Sequence, residues 1–226
     1  MKFSLQSNPV LLAYQIKILK LFFESVFGKP FFLTGGTALA AFYLGHRESK
    51  DLDLFSLEAF DGQRLGLVIE EIAHKVQAKV QAKVKSETYN EIYLENQREG
   101  WQQRIDVVRE QPKHFGEIES VEGIRVDSLV NIATNKILAI YGRLEPKDYV
   151  DLYMILTKTG LKFDELFELA KQKDAGLVEF YFANIISEIE KVRTWPIMKV
   201  KLDVVRMTRF YRDLGRKLLL RVKPKK

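Results

Sequence analysis

Two glycines and two aspartates constrain this chain most. Gly35-Gly36-Thr37 follows the apolar run Phe31-Phe32-Leu33, and Asp51-Leu52-Asp53-Leu54-Phe55 follows within a turn or two of helix. A strand that runs into paired glycines and then a helix start leaves backbone N–H groups pointing outward, with the positive end of the helix dipole behind them. Glycine lets that backbone approach an anion without a clashing Cβ. On a strand, residues two apart face the same side. Asp51 and Asp53 therefore point together while Leu52 and Leu54 point inward. The mutual repulsion of two such carboxylates favours a compensating cation. An anion-gripping turn thus stands beside an oxygen-donor pair suited to Mg²⁺. Taken separately, each element has a plain alternative: a tight turn, and a solvated strand edge.

The surrounding pattern predicts mixed α/β structure and then helices. Leu12, Ile16, Leu19 and Phe23 fall on one helical face between Pro9 and Phe27, and Gly28-Lys29-Pro30 ends that helix. Helices are expected at 37–44, closed by Gly45, and at 62–75. Strands are expected at 31–33, 52–55, from about Val80, at 92–95 and at 104–108, giving a sheet of four or five strands. From Asp127, read as a helix N-cap, the chain turns helical. Pro146 opens a second helix, and further helical patterns cover about 163–174, 177–193 and 203–221. The expected fold is α+β, with an α/β domain over 1–125 and a helical domain over 126–226 that completes an active-site cleft.

A third acid, Asp106, lies in the strand Arg104-Ile105-Asp106-Val107-Val108. If that strand neighbours 52–55, Asp51, Asp53 and Asp106 form a three-carboxylate cluster able to hold one or two Mg²⁺ ions. Lys136 sits within the apolar stripe Leu129, Ile132, Ala133, Ile137, Ile140. A lysine there needs a partner or must snorkel. Asp148 and Asp151 share one helical face. Asp148 in the first turn is favoured by the dipole alone.

These blocks resemble the polymerase-β-like nucleotidyltransferase superfamily. More narrowly, Gly35-Gly-Thr-Ala-Leu39 with Arg47-x-Ser49-x-Asp51-Leu-Asp53-Leu-Phe55 resembles the AbiEii/AbiGii toxin family. So does Lys136-Ile-Leu-Ala139, Arg143, then Lys147-Asp148-x-x-Asp151-Leu-Tyr153, although family members usually carry Arg where Lys147 stands. The resemblance spans roughly 31–156. It implies Mg²⁺-dependent transfer of a nucleoside monophosphate from an NTP to an acceptor hydroxyl, with the 3′ end of tRNA as the expected acceptor. It further implies the toxin half of a toxin–antitoxin pair, with an antitoxin protein as partner. Carried over, Asp51 and Asp53 are metal ligands; Asp106 and Asp148 compete for the role of third acid, with Asp106 favoured for the metal and Asp148 for nucleotide or hydroxyl contact. Gly35, Gly36 and Thr37 face the triphosphate. Arg47 and Ser49 belong to the nucleotide-binding motif, and Lys136 and Asp148 are active-site residues.

Composition adds bounds. The chain has 226 residues, no cysteine and a net charge of +6. That excludes disulfides and thiolate metal sites, fits a reducing cytoplasm, and favours a polyanionic partner. No apolar stretch is long enough to span a bilayer. The three histidines lack ligand spacing and receive no role, and Trp101 and Trp195 read as packing residues. Arg209, Arg212 and Arg216 share one side of the last helix and are candidates to hold an RNA backbone. Other readings are a transferase acting on a small molecule, a non-catalytic module of the same fold, and a sugar transferase, the last disfavoured by the glycine turn.

Overall fold

The computed structural model describes residues 3–110 and 113–222. It divides into two units, Met1–Leu129 and Val130–Lys226. The first is built on a seven-stranded sheet in the order β3-β4-β5-β2-β1-β7-β6. The strands are β1 (Phe31–Thr34), β2 (Leu52–Ser56), β3 (Lys79–Lys85), β4 (Tyr89–Asn96), β5 (Trp101–Arg109), β6 (Glu119–Val121) and β7 (Ile124–Val126). The sheet is mixed: β2 pairs in parallel with β5 and β1 with β7, while the other pairings are antiparallel. It is thus wider than the four or five strands expected. The additional pair, β6 and β7, has strands of three residues, too short to show a period. A boundary near 125 would fall inside β7, which adds to the sheet through Leu33 and Val126.

Alternation sets the faces. Leu52, Leu54, Ile105, Val107, Ile92 and Leu94 are buried, whereas Asp53, Asp106 and Glu91, at the intervening positions, are partly exposed. Helix α1 (Ala13–Glu24) buries Gln15, Ile18, Leu19 and Phe22, a single stripe at helical spacing. Phe22 and Phe31 then meet edge-on with ring centroids 5.4 Å apart. Helix α3 (Gly62–Lys75) is capped by Asp61, whose carboxylate accepts from the Gln63 and Arg64 N–H groups. It buries Leu65, Ile69, Ile72 and Ala73. The edge strand β3 carries Lys79, Lys83 and Lys85, all exposed, and such charge discourages edge-to-edge pairing with another chain.

Between β1 and β2 the chain turns directly from strand into helix. Helix α2 (Gly35–Ala38) passes without a break into a π-helical stretch, Leu39–Leu44. Gly45 ends it in the left-handed region, φ 60°, with its N–H on the Ala40 carbonyl at 2.8 Å. The segment is fully buried from Ala38 to Phe42, so the ten residues after β1 are fixed by packing.

The second unit is helical: α4 (Leu129–Gly142), α5 (Pro146–Lys158), α6 (Phe163–Lys173), α7 (Glu179–Ser187) with a 3₁₀ extension over Glu188–Lys191, and α8 (Val204–Arg221). Its core includes Ile132, Ile137, Ile140, Leu152, Phe167, Phe182, Ile186, Met207 and Leu218. Two buried tyrosines tie the helices through their hydroxyls. Tyr149 donates to the Ile185 carbonyl at 2.9 Å, and Tyr211 donates to the Tyr149 carbonyl at 2.6 Å.

Burial pushes the Tyr211 hydroxyl well above its usual range. The unfolded chain releases that proton near pH 10, whereas the folded protein retains it. The stability it supplies is complete below about pH 10 and is lost as pH rises through the folded value. Tyr211→Phe is expected to cost about 1–2 kcal/mol at neutral pH, because the Tyr149 carbonyl loses its donor. It should also make the alkaline fall in melting temperature shallower. Thermal unfolding followed from pH 7 to 11 measures both.

Candidate active site

The register of β2 against β5 brings the first two acid blocks together. Asp53 and Asp106 are direct partners across the parallel pair, so their side chains leave the sheet on the same face. Asp51 precedes Asp53 by two residues, and its charge acts on Asp106. All three acids are partly exposed.

The glycine turn closes onto this group from β1. Thr34 is the register partner of Asp53, which sets the next residue, Gly35, over the carboxylate. Gly35 adopts φ +67°, and a Cβ there would lie 2.0 Å from Asp53 Oδ2. A Cβ on Gly36 would lie 2.4 Å from Arg47 Nη2 and 3.1 Å from Ser49 Oγ. Both glycines admit a close approach, of the carboxylate on one side and of the motif's arginine and serine on the other, and the positive φ of Gly35 favours glycine there as well. Arg47 is buried, at 3% exposure, and donates to the Glu48 carbonyl at 2.7 Å. Its guanidinium is fixed beneath the turn.

The Thr37 side chain is held by the chain that returns at Ser49 and Asp51. It is fully buried, with Oγ1 2.5 Å from the Asp51 carbonyl oxygen, to which it donates, and 2.8 Å from Ser49 Oγ. Its hydroxyl fastens the start of α2 to the residue that begins the acid pair. In this arrangement it shapes the site without presenting a free donor to a ligand.

Asp106 is also more engaged than the sequence suggested. Arg104, two residues earlier on the same face, donates from Nε to Asp106 Oδ1 at 3.0 Å and places Nη2 2.9 Å from Oδ2. The same Nη2 lies 3.0 Å from Glu91 Oε2, and Tyr89 adds a long contact of 3.3 Å to Asp106. Burial pushes the Asp106 carboxyl above its usual range. The Arg104 bond pulls it back, and the charge of Asp51 adds to the rise. Among the described residues, no group of three or more His, Cys, Asp or Glu side chains is arranged to hold a metal ion. Asp53 and Asp106 share a face of the sheet, with Asp106 held by an arginine. The signal for this was present as Arg104-x-Asp106, residues that must share a strand face.

A second buried polar group lies behind the turn. Asp127, expected as a helix cap, is fully buried and precedes α4 by two residues. Its Oδ2 accepts from Thr34 Oγ1 at 2.5 Å, its Oδ1 lies 2.7 Å from His114 Nε2, and its carbonyl accepts from Tyr43 at 2.6 Å. Asp127 and His114 thus anchor the end of β1, immediately before Gly35. No spacing in the sequence pairs residues 34, 114 and 127.

Within the helical unit, Lys136 does not snorkel. Its Nζ lies 2.7 Å from Asp148 Oδ1 and 2.6 Å from Asp151 Oδ2, and both aspartates are fully buried. Arg143 adds a bond from Nε to Asp148 Oδ2 at 2.9 Å. Two cations and two carboxylates are thus matched at the α4–α5 turn, as buried charges require. Arg143 and Asp151, given no role of their own from sequence, complete this cluster.

Comparison with known proteins supplies a family and a fold. The sequence model described as nucleotidyl transferase AbiEii toxin, type IV TA system, matches residues 17–200. Among solved structures, JHP933 from Helicobacter pylori is similar at 14% identity and TM-score 0.60, covering 91% of this chain and 88% of that one. A second H. pylori structure, provisionally described as a nucleotidyltransferase, is similar at 14% identity and TM-score 0.61, covering 91% of each chain. At that identity these two speak to the fold. The search of curated proteins finds no match.

Proposed function

Because the chain belongs to the AbiEii nucleotidyl transferase toxin family, we propose that it moves a nucleoside monophosphate from an NTP to an acceptor hydroxyl. The acceptor in this reading is the 3′ end of an RNA, tRNA first among the candidates, and the protein works as the toxin of a type IV toxin–antitoxin pair. Family membership implies an antitoxin protein as its partner. Among the described residues, no helix is long and apolar enough to cross a membrane.

The observation that carries the reading is the contact of Gly35 with Asp53. It sets an anion-binding turn directly against a carboxylate pair, the two features an NTP and its metal need side by side. Magnesium fits the donors present: Asp51 and Asp53 offer hard oxygens, and Mg²⁺ takes one or two carboxylates together with substrate phosphates. When bound, the ion would offset charge developing on the phosphates. The chain's own groups do the rest. The N–H groups of Gly36 and Thr37 open the helical segment and face the anion. Arg47, with Ser49, holds the turn in place. Asp106 is proposed as the third acid, and its pair with Arg104 must open before it can turn toward a cation. Lys136 and Asp148 are retained as site residues on the sequence block they share with the family.

In the proposed step the acceptor oxygen bonds to the α-phosphorus as that phosphorus loses its bond to the bridging oxygen. Pyrophosphate departs with the electron pair, and the hydroxyl proton passes to a carboxylate. The test is incubation with each α-labelled NTP, Mg²⁺ and unfractionated RNA. Label is expected in RNA of tRNA size and at its 3′ end. Label confined to small molecules would replace the RNA acceptor with an antibiotic-type one. An absence of label from every product would favour the non-catalytic module.

A further inference from the structure

The chain's positive charge is not spread evenly. Residues 199–226 contain eleven lysines and arginines and two aspartates, so with a net charge of +6 everything before residue 199 is net negative. Most of that excess sits on α8. The helix is fixed by its apolar side, where Met207, Tyr211, Gly215 and Leu218 are buried, and by the Tyr211 hydroxyl on the Tyr149 carbonyl. On the opposite side Arg206, Arg209, Arg216 and Lys217 are exposed. Arg212 is spent on Glu190, at 2.7 Å, and Arg221 on Asp164, at 2.9 Å. Arg216 has only a distant contact with Asp213, 3.9 Å, between two exposed side chains. Arg206 and Arg209 make no ion pair or hydrogen bond through their side chains among the described residues.

Three guanidinium groups and an ammonium on this stripe are offset by one acid, Asp213, and the remaining positive charge costs a folded protein self-repulsion. Arg206, Arg209, Arg216 and Lys217 span about 16 Å at 1.5 Å per residue, the length of several phosphates along one strand. Guanidinium groups bind phosphate in a two-pronged geometry that ammonium groups cannot match. We propose that this face of α8 is a docking surface for the phosphate backbone of RNA. It takes the acceptor's body, whatever its sequence, and leaves the chemistry to the acids and the glycine turn. The inference rests on the reading that the acceptor is RNA. It is tested without turnover, so the two can fail separately.

The experiment measures binding of the full chain to a fluorescein-labelled RNA hairpin by anisotropy, without NTP or Mg²⁺, across a series of salt concentrations. Arg206→Gln/Arg209→Gln is compared with Lys83→Gln/Lys85→Gln, which removes the same charge from the exposed edge strand β3. Glutamine keeps helix propensity at exposed positions, and far-UV circular dichroism confirms folding. The α8 variant is expected to lose about two units of salt slope and about tenfold or more in affinity, while the β3 variant matches wild type. Equal losses in both variants would reduce the effect to net charge and overturn the proposal. Unchanged binding in the α8 variant would overturn it too. In a parallel arm with phosphatidylserine vesicles, loss of vesicle binding without loss of RNA binding would reassign the face to a membrane. If RNA binding behaves as stated but no label is ever transferred, the surface stands and the transferase reading falls.

Discussion

Gly35→Ala should reduce nucleotide transfer by about a hundredfold or more while leaving the protein folded. Two costs meet at this position. The φ of +67° charges any side chain about 1–2 kcal/mol for left-handed backbone, a loss most folded chains tolerate. The second cost falls on the site. The new Cβ would stand 2.0 Å from Asp53 Oδ2, and the cheapest relief is to swing that carboxylate aside. The fold keeps its sheet, since Asp53 contributes its backbone to β2 whichever way its side chain points. The site loses the oxygen that stands against the turn, and displacement of a reacting group by an ångström is enough for losses of this size. Transfer rate and urea midpoint, measured on one preparation, separate the two costs: a small shift in midpoint with a large fall in rate is expected. Gly62→Ala is the control, because nothing lies within 4 Å of a Cβ there.

The largest effect on stability is expected at Lys136. Its ammonium lies within 2.7 Å of two carboxylates that have no exposure to solvent. Lys136→Met keeps the stem's bulk and removes the charge, leaving the buried acids in excess. Breaking a buried pair from one side costs about 3–5 kcal/mol. Arg143, at 53% side-chain exposure, compensates only partly, and Arg143→Ala alone should cost about 1 kcal/mol or less because its charge is screened. Replacing the set together, Lys136→Met with Asp151→Leu, should recover part of the loss, since the penalty comes from an unmatched charge. Urea denaturation of the full chain gives all three values. A cost for Lys136→Met no larger than that for Arg143→Ala would contradict the reading of this group as a tightly matched buried cluster.

How much of this was legible in the sequence follows from the range of each interaction. The period of two in Leu52–Phe55 and Arg104–Val108 placed Asp53 and Asp106 on their strands. The helix over 62–75 was legible in the spacing of Leu65, Val68, Ile69 and Ile72. Lys136 stood out as a charge inside an apolar stripe. Asp148 and Asp151, three apart on the next helix, supplied its partners, although the sequence did not join them to it. Contacts between residues distant in the chain were silent. Thr34, His114 and Asp127 meet only because β7 lies beside β1, and Asp127 alone resembled an ordinary helix cap. The bond of the Thr37 hydroxyl to the Asp51 carbonyl was silent too, because it joins residues on either side of a helix and a turn. The π-helical stretch after Ala38 kept its expected extent but not its expected winding, which propensity does not specify.

Label transfer by wild type and Asp53→Asn, side by side, tests the central claim most directly. Asparagine retains the size of the carboxylate and its contact with the turn but removes the charge a cation needs. The account predicts Mg²⁺-dependent incorporation from an α-labelled NTP by wild type, a loss of at least about a thousandfold in the variant, and matching melting curves. Equal incorporation by the two proteins would show that the carboxylate beside Gly35 takes no part in the reaction.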